Sequence, residues 1–132
     1  MRKKTISIDD FTREYLTAAL FTDQPDEWCS PGEFTESDRA CIDRMTKDCI
    51  AKAIADCAKF RELASAAGID IDDMSQCDKD SAARDFWYTR NGHGAGFWDG
   101  DWEDSIGKTL TSISKRFPET GLDFYRNRIY AR

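Results

Sequence analysis

The stretch that decides the fold is TESDRACIDRMTKDCIAKAIADCAKFRELASAAG, which runs from Thr35 to Gly68. Its first four residues form a capping box, in which a hydroxyl and a carboxylate satisfy the free amides that begin a helix. The spacing of its apolar residues predicts a helix of about 30 residues, roughly 45 Å long at 1.5 Å per residue. Because that is longer than a domain of this size needs, we expect the helix to bend or to extend into a partner, for example in a homodimer. Its apolar residues recur every three or four positions, as on one buried helix face: Ile42, Met45, Cys49, Ala53, Cys57, Phe60, Ala64 and Ala67.

Another capping box, at Ser7–Asp10, predicts a helix nearer the N-terminus. Apolar residues at helical spacing follow over residues 8–21, and the helix is expected to close before Pro25. Residues 22–34 are rich in proline, glycine and acids. That composition indicates a surface loop, in which Trp28 is the expected apolar anchor.

The C-terminal half combines a connector, a helix and a hairpin. Residues 69–81 indicate an acidic connector that Ile71 and Met74 hold to the core. Apolar residues at helical spacing over residues 103–117 predict a helix with acids at its start and bases at its end, as the helix dipole favours. Residues 122–130 predict a short hairpin. The expected fold is therefore a single α+β domain over all 132 residues, mainly helical around the long central helix, with a small antiparallel sheet in its C-terminal half.

Residues 85–102, DFWYTRNGHGAGFWDGDW, concentrate the residue types that carry chemistry. They hold the only histidine, three of the four tryptophans and four of the eight glycines of the chain. Residues 86–90 are aromatic and favour β-structure, and Phe97 resumes the aromatic run after a turn-forming stretch, which predicts a strand, a glycine-rich loop and a second strand. A competing interpretation stays open, in which a helix from about Asp78 ends at Asn91 with the next glycine as its cap.

The same segment supplies the candidate binding site. Its glycines would let the backbone approach a ligand, and Arg90 and His93 could meet an anion between indole rings. Nothing in the spacing pairs His93 with a nucleophile, and the motifs of phosphate, dinucleotide and calcium loops do not match. The alternative is a structural loop whose histidine ties turn amides together and whose aromatic residues fill the core. The candidate binding residues are Trp87, Thr89, Arg90, Asn91, His93, Trp98 and Asp99.

Negative charge is unevenly distributed along the chain. The net charge is −6, and acids gather at residues 23–38, 69–80 and 99–104, the first and last of which contain no lysine or arginine. Such fields repel nucleic-acid phosphates and anionic membranes, while they attract basic protein surfaces. The distribution therefore argues against direct binding to nucleic acid or membranes and favours a basic protein partner. The same charge also promotes solubility, with or without a partner.

The five cysteines are expected to be free thiols. They are odd in number and form no CxxC pair, and Cys41, Cys49 and Cys57 lie about 12 Å apart along the predicted helix axis, too far for a disulfide. With a single histidine in the chain, neither a zinc site nor another cofactor is expected. No apolar run approaches the roughly 20 residues that span a bilayer, and the polar N-terminus is unlike a signal peptide, so we expect a cytoplasmic protein.

Residues 85–99 resemble the signature DFW-x-TRNGHGAGFWD of a family of small bacteriophage proteins without an assigned activity. Tyr88 stands where the family usually has leucine, and Gly100 stands where arginine is common. YLTAAL at residues 15–20 and the pair Leu110–Thr111 are similar to further parts of the family pattern. The resemblance implies a phage or prophage origin and action in the cytoplasm of an infected bacterial host. It implies no particular reaction.

Two functional hypotheses follow from these observations. The first is a non-enzymatic modulator or inhibitor that binds a host or phage protein. The surface it covers can be a nucleic-acid-binding surface of that protein. The second is a small enzyme, or a protein that binds an anion or another small molecule, using the loop Arg90–Gly94. The segregated acids support the first hypothesis, and the density of special residues in one segment supports the second.

Overall fold

The fold was analysed in a computed structural model, which describes residues 8–23, 42–126 and 128–132. Helices dominate these residues, and the strands form one antiparallel pair near the C-terminal end. The predicted α+β fold, mainly helical with a small sheet in the C-terminal half, is confirmed. The elements are α1 (Asp10–Asp23), α2 (Lys47–Ala66), a 3-10 turn (Ile71–Asp73), α3 (Gln76–Arg90), α4 (Asp104–Ser114), β1 (Leu122–Tyr125) and β2 (Arg128–Ala131).

Helix α1 begins where Asp9 caps it. The Asp9 carboxylate accepts a hydrogen bond of 2.9 Å from the backbone amide of Thr12. Burial alone would raise the pKa of Asp9, but the bond from Thr12 and the nearby Arg61 guanidinium hold it below its usual value. The helix continues to Asp23, slightly beyond its predicted end. The predicted cap Ser7 and the predicted anchor Trp28 lie outside the described residues.

The long helix is shorter than predicted, because it is interrupted just before Lys47. The Thr46 hydroxyl accepts a bond from the amide of Cys49 and caps a helix of 20 residues. Immediately before it, the chain pairs with β2: the Ile129 amide donates to the Arg44 carbonyl at 3.0 Å, and the Thr46 amide donates to the Ile129 carbonyl at 2.9 Å. Ile42 and Met45 are nevertheless buried, so the apolar periodicity runs unbroken across the interruption and could not reveal it.

Residues 76–90 are helical, and Phe97 and Trp98 lie in a turn, so the favoured prediction of two strands is wrong and the competing helix is confirmed. The Ser75 hydroxyl caps α3 by accepting a bond from Asp78, and Gly92 adopts a left-handed φ of 70° just after the helix ends. The buried residues of α3 recur at helical spacing, and this packing outweighs the β-propensity of the aromatic run. These residues are Ala82, Ala83, Phe86, Trp87 and Arg90, joined by Thr89.

The remaining elements agree with the sequence analysis. Ile71 is buried and Met74 packs against the core, as predicted for the connector, although α3 shortens that connector. Glu103 begins α4 by accepting bonds from two backbone amides of the first turn. The hairpin pairs Leu122 with Ala131, and Ile129 on its inner face is fully buried.

An aromatic cluster forms the centre of the core. Phe60 of α2 stacks on Phe86 of α3 with ring centroids 4.2 Å apart, and Phe97 and Phe11 flank it at 5.8 and 6.2 Å. Tyr15 of α1 stacks on the same Phe86 ring at 5.2 Å. Stacked rings of this kind fix the positions of the three helices around one centre.

Within the described residues, no helix is long and apolar enough to cross a membrane.

Three cysteines fall in the described part of the chain, and all three are free thiols, as predicted. Cys49 and Cys57 are buried on α2, whereas Cys77 is exposed at the start of α3. Burial raises the pKa of Cys49 to about 11, against a lowering influence of Lys52. Burial raises the pKa of Cys57 further, although the nearby Thr12 hydroxyl and the charge of Arg61 oppose the rise. The two buried thiols are therefore protonated and shielded from reagents.

Thiol alkylation should separate these cysteines. With iodoacetamide at pH 8, we expect Cys77 to be modified at least about tenfold faster than Cys49 and Cys57, because the thiolate is the reactive species. Peptide mass spectrometry over a time course measures each rate. In urea the three rates should converge. Equal labelling of Cys57 and Cys77 in the native protein would contradict the described core.

Candidate functional site

The candidate segment begins in the last turns of α3 and continues into residues 91–103 between α3 and α4, which we call the α3–α4 connection. Its tight path depends on Gly96, because a Cβ there would lie 2.4 Å from the Thr89 hydroxyl oxygen. That hydroxyl accepts a bond from the Phe97 amide, so the connection folds back onto the helix that precedes it. Asn91 adds a second attachment, since its side-chain oxygen accepts a bond of 2.8 Å from the Thr120 amide.

Arg90 is buried at the end of α3, where its guanidinium donates four hydrogen bonds. It pairs with the Asp56 carboxylate at 2.8 Å and donates to the Tyr15 hydroxyl at 3.0 Å. Two further bonds reach the Pro118 carbonyl, at 3.1 and 2.7 Å. Only 1% of the side chain is exposed, and the Phe86 ring lies 5.6 Å from it. Arg90 therefore joins α1, α2, α3 and the segment after α4, and four of its five N–H donors are used within the protein.

His93 lies on another side of α3. Its ring meets the edge of Tyr88 at 6.0 Å, and its backbone amide donates to the Tyr88 carbonyl. Tyr88 and Arg90 are two positions apart on the helix, which turns their side chains about 200° from each other. The structure therefore does not bring His93 and Arg90 together, and the predicted anion site between them has no geometric support.

The other predicted residues differ in exposure and in role. Trp87 is buried, and its indole donates to the Thr22 hydroxyl at 2.9 Å. Thr89 is buried under the turn, and the exposed Asp99 accepts a bond from the Gly96 amide. Trp98 differs from all of these, because 55% of it is exposed. It is the predicted residue whose apolar surface is available to a partner.

Trp98 lines a groove of about 280 Å³ between the α3–α4 connection and α4, which we call the tryptophan groove. Gly107 lies beneath it, where an added Cβ would come within 2.7 Å of the Phe97 carbonyl oxygen. The close approach of α4 to this carbonyl therefore requires glycine. The lining includes Phe97, Trp98, Trp102, Asp104, Gly107 and Lys108.

Trp102 is held in place from two sides. Its indole donates to the Asp85 carboxylate at 2.8 Å, and its ring meets Phe97 edge-on at 5.4 Å. Burial raises the pKa of Asp85, the bond from Trp102 lowers it, and the negative charges of Asp99 and Asp101 raise it, so that it ends above its usual value. The lining ring is thus fixed before any ligand arrives, and the field around it is negative.

The charged residues that line the groove are Asp104 and Lys108, and the stretch of chain that borders the groove, residues 99–104, is acidic. Asp99, Asp101, Glu103 and Asp104 are exposed, and Lys108 is the one basic residue between positions 99 and 108. Its ammonium pairs with Asp104 at 3.2 Å, but both side chains are about four-fifths exposed, so the pair is weak. A positively charged ligand is favoured at this surface, and an anion is disfavoured.

Sequence reasoning missed three residues on which this site depends: Asp56, Trp102 and Gly107. Asp56 lies 34 positions before Arg90, and no local pattern connects the two. Trp102 and Gly107 follow the segment's glycines closely, and the apolar face of α4 could have indicated that this glycine packs against a neighbour. Among the described residues, no group of three or more acidic, histidine or cysteine side chains is placed to hold a metal ion.

Comparison with known proteins gave no similarity from which to assign the chain: no family model, no curated protein and no solved structure matches it.

Replacing Arg90 should damage the fold. Arg90→Met keeps the length of the side chain but leaves Asp56 and the other acceptors unpaired, so the free energy of unfolding should fall by about 3 kcal/mol. Arg84→Met on the same helix is the matched control, because Arg84 pairs with Glu14 at the surface and its loss should cost about 1 kcal/mol or less. Urea unfolding followed by circular dichroism measures both. Equal losses of unfolding free energy in the two variants would show that the hydrogen bonds of Arg90 do not hold the helices together.

Replacing Gly107 with alanine should destabilise the protein, although alanine is the better helix former. In an ordinary helix, alanine is about 1 kcal/mol better than glycine. We expect Gly107→Ala to lose about 1 kcal/mol net, because its Cβ meets a backbone carbonyl that cannot easily move. Gly94→Ala is the control and should be neutral, since nothing lies within 4 Å of its Cβ position. Thermal unfolding measures both variants, and a higher melting temperature for Gly107→Ala would contradict the described packing.

Proposed function

We propose that this chain is a phage-encoded, non-enzymatic protein that docks on a basic surface of a host or phage protein in the cytoplasm of an infected bacterium, and so modulates or inhibits that protein. One observation carries the proposal: the exposed indole of Trp98 lines a groove together with Asp104, beside a stretch of chain, residues 99–104, that holds four carboxylates and no base. The resemblance of residues 85–99 to a phage signature supports the proposed origin, and it covers the same segment.

The exposed indole supports docking on energetic grounds. Tryptophan is among the residues that most often dominate the binding energy of an interface, because its large ring is removed from water on association. The surrounding acids add steering, since they attract a basic surface over several ångströms and speed encounter. The combination supports a partner that brings both positive charge and a side chain long enough to enter the groove.

The kind of partner follows from the charge. A surface that normally holds nucleic acid carries lysine and arginine, and an acidic protein can compete with the phosphates for it. Direct binding of nucleic acid at the tryptophan groove is disfavoured, because the same acids repel phosphate. The argument for a homodimer through the long helix is weaker than the sequence suggested. Helix α2 is only 20 residues long, and its buried residues face the core of the same chain.

The alternative of a small enzyme or anion-binding protein has lost its main argument. That hypothesis required Arg90 to be free for a ligand beside His93. The guanidinium is instead bonded to Asp56, Tyr15 and Pro118. No second function is therefore proposed.

Affinity capture from infected cells with matched variants tests the proposal. We expect Trp98→Ala to weaken binding of the captured partner by about 30-fold, which corresponds to a central interface residue worth about 2 kcal/mol. Tyr125→Ala is the control, because Tyr125 is similarly exposed, at 59%, but lies on the hairpin. Quantitative mass spectrometry and a titration with the purified partner measure the effect.

Both variants should keep the wild-type melting temperature, since each removes an exposed ring. A partner that binds wild type and Trp98→Ala equally well would contradict docking through the tryptophan groove. A partner that is lost with Tyr125→Ala alone would move the interface to the hairpin and contradict it too.

A further inference from the structure

We propose that the tryptophan groove binds one arginine side chain of the partner, with the guanidinium stacked on Trp98 and paired with Asp104. This inference rests on the proposed docking function and names the chemical group that occupies the groove. It also assigns a role to Lys108, whose ammonium pairs with Asp104 when no arginine is bound.

The size of the groove suits one long side chain. Pockets for small-molecule ligands usually enclose about 300 to 1,000 Å³, and this groove, at about 280 Å³, lies just below that range. Trp102, which lines the groove, is fixed by Asp85 and Phe97. A fixed, open groove needs little rearrangement on binding, which favours affinity for a small occupant.

The charge of the lining selects a cation. Asp104 lines the groove, and three more carboxylates follow the chain around it from Asp99 to Glu103. A cation over the face of an indole gains further attraction from the ring's quadrupole, and tryptophan is the best ring for this contact. An anionic occupant would gain from Lys108, but it would meet Asp104 in the lining and lie beside the acidic stretch 99–104.

The flat ring and the carboxylate favour arginine over lysine. A guanidinium is planar, stacks on aromatic faces and pairs with a carboxylate through two parallel hydrogen bonds, whereas an ammonium is a compact and strongly hydrated point charge. Lys108 supplies only such an ammonium to Asp104, in a pair that is exposed on both sides. A guanidinium that reaches Asp104 therefore replaces a weaker contact with a stronger one.

Lys108 makes the sign of the effect testable. If the occupant is a cation, Lys108 competes with it, so Lys108→Gln should strengthen binding. If the occupant is an anion, the same substitution should weaken binding. The lysine side chain is 79% exposed, and glutamine is a comparable helix former, so the variant should fold normally.

The experiment is a titration of the full chain, labelled with ¹⁵N, with the blocked peptide acetyl-Gly-Arg-Gly-Arg-Gly-amide. The indole N–H resonance of Trp98, assigned by its loss in Trp98→Phe, reports binding. We expect a saturable shift of this resonance with the arginine peptide. With citrulline in place of arginine, binding should be at least about fivefold weaker, since citrulline has the same shape without the charge. Lysine peptides should bind about two- to fivefold more weakly than arginine peptides, and Lys108→Gln should tighten arginine binding about twofold.

Three results would overturn the inference: equal binding of the arginine and citrulline peptides, tighter binding of a glutamate peptide, or weaker arginine binding by Lys108→Gln. Equal binding of lysine and arginine peptides would overturn the choice of arginine. These failures differ from failure of the docking function. If capture depends on Trp98 but no arginine peptide shifts its resonance, docking stands and the occupant is wrong. If the peptide binds but no captured partner depends on Trp98, the groove is a cation site and docking fails.

Discussion

The pair between the buried Arg90 and the partly exposed Asp56 is the interaction on which the rest of the structure depends. A guanidinium removed from water must have nearly all its donors satisfied, and here the acceptors come from α1, α2 and the segment after α4. Because those acceptors are far apart in sequence, pairing them fixes the end of α3 relative to the whole domain. The α3–α4 connection leaves from that fixed point, and the bonds of Thr89 and Asn91 then determine its path. Trp98 directly follows Phe97, whose amide is bonded to Thr89 and whose ring is buried, and its own indole is left exposed.

Local sequence patterns predicted the elements whose determinants are local. The helix α4 and the hairpin are confirmed, because charges at helix ends, apolar spacing and turn residues all act within a few positions. The interruption before α2 could not be predicted from its apolar residues, since it depends on pairing with Ile129, more than 80 positions away along the chain. The strand prediction for residues 86–90 was wrong for a related reason: aromatic residues favour strands on average, but here Phe86 and Trp87 form one buried helix face with Arg90.

The sequence located the candidate segment but did not assign the roles within it. Density of special residues pointed to residues 85–102, and the groove does lie there, but Trp87 and Trp98 are the same residue type and only their position on or after the helix separates core from surface. Arginine near a glycine-rich loop is equally compatible with a ligand contact and with a buried ion pair, and the decisive partner Asp56 lies outside any local window. The glycines, too, serve packing: Gly96 and Gly107 permit close approach of the backbone to Thr89 and Phe97, with no ligand required.

An exposed indole is normally a risk of self-association, and the charges around the tryptophan groove limit that risk. Two copies that met through this surface would bring the acidic stretch 99–104 of one chain close to that of the other. Like charges placed together across an interface cost several kilocalories per mole, so these acids oppose association with a second copy. A bare apolar patch would bind a second copy as readily as a partner, whereas this arrangement separates binding of a partner from self-association. In the proposed docking, the ring supplies the binding energy, and the carboxylates restrict it to partners that bring positive charge.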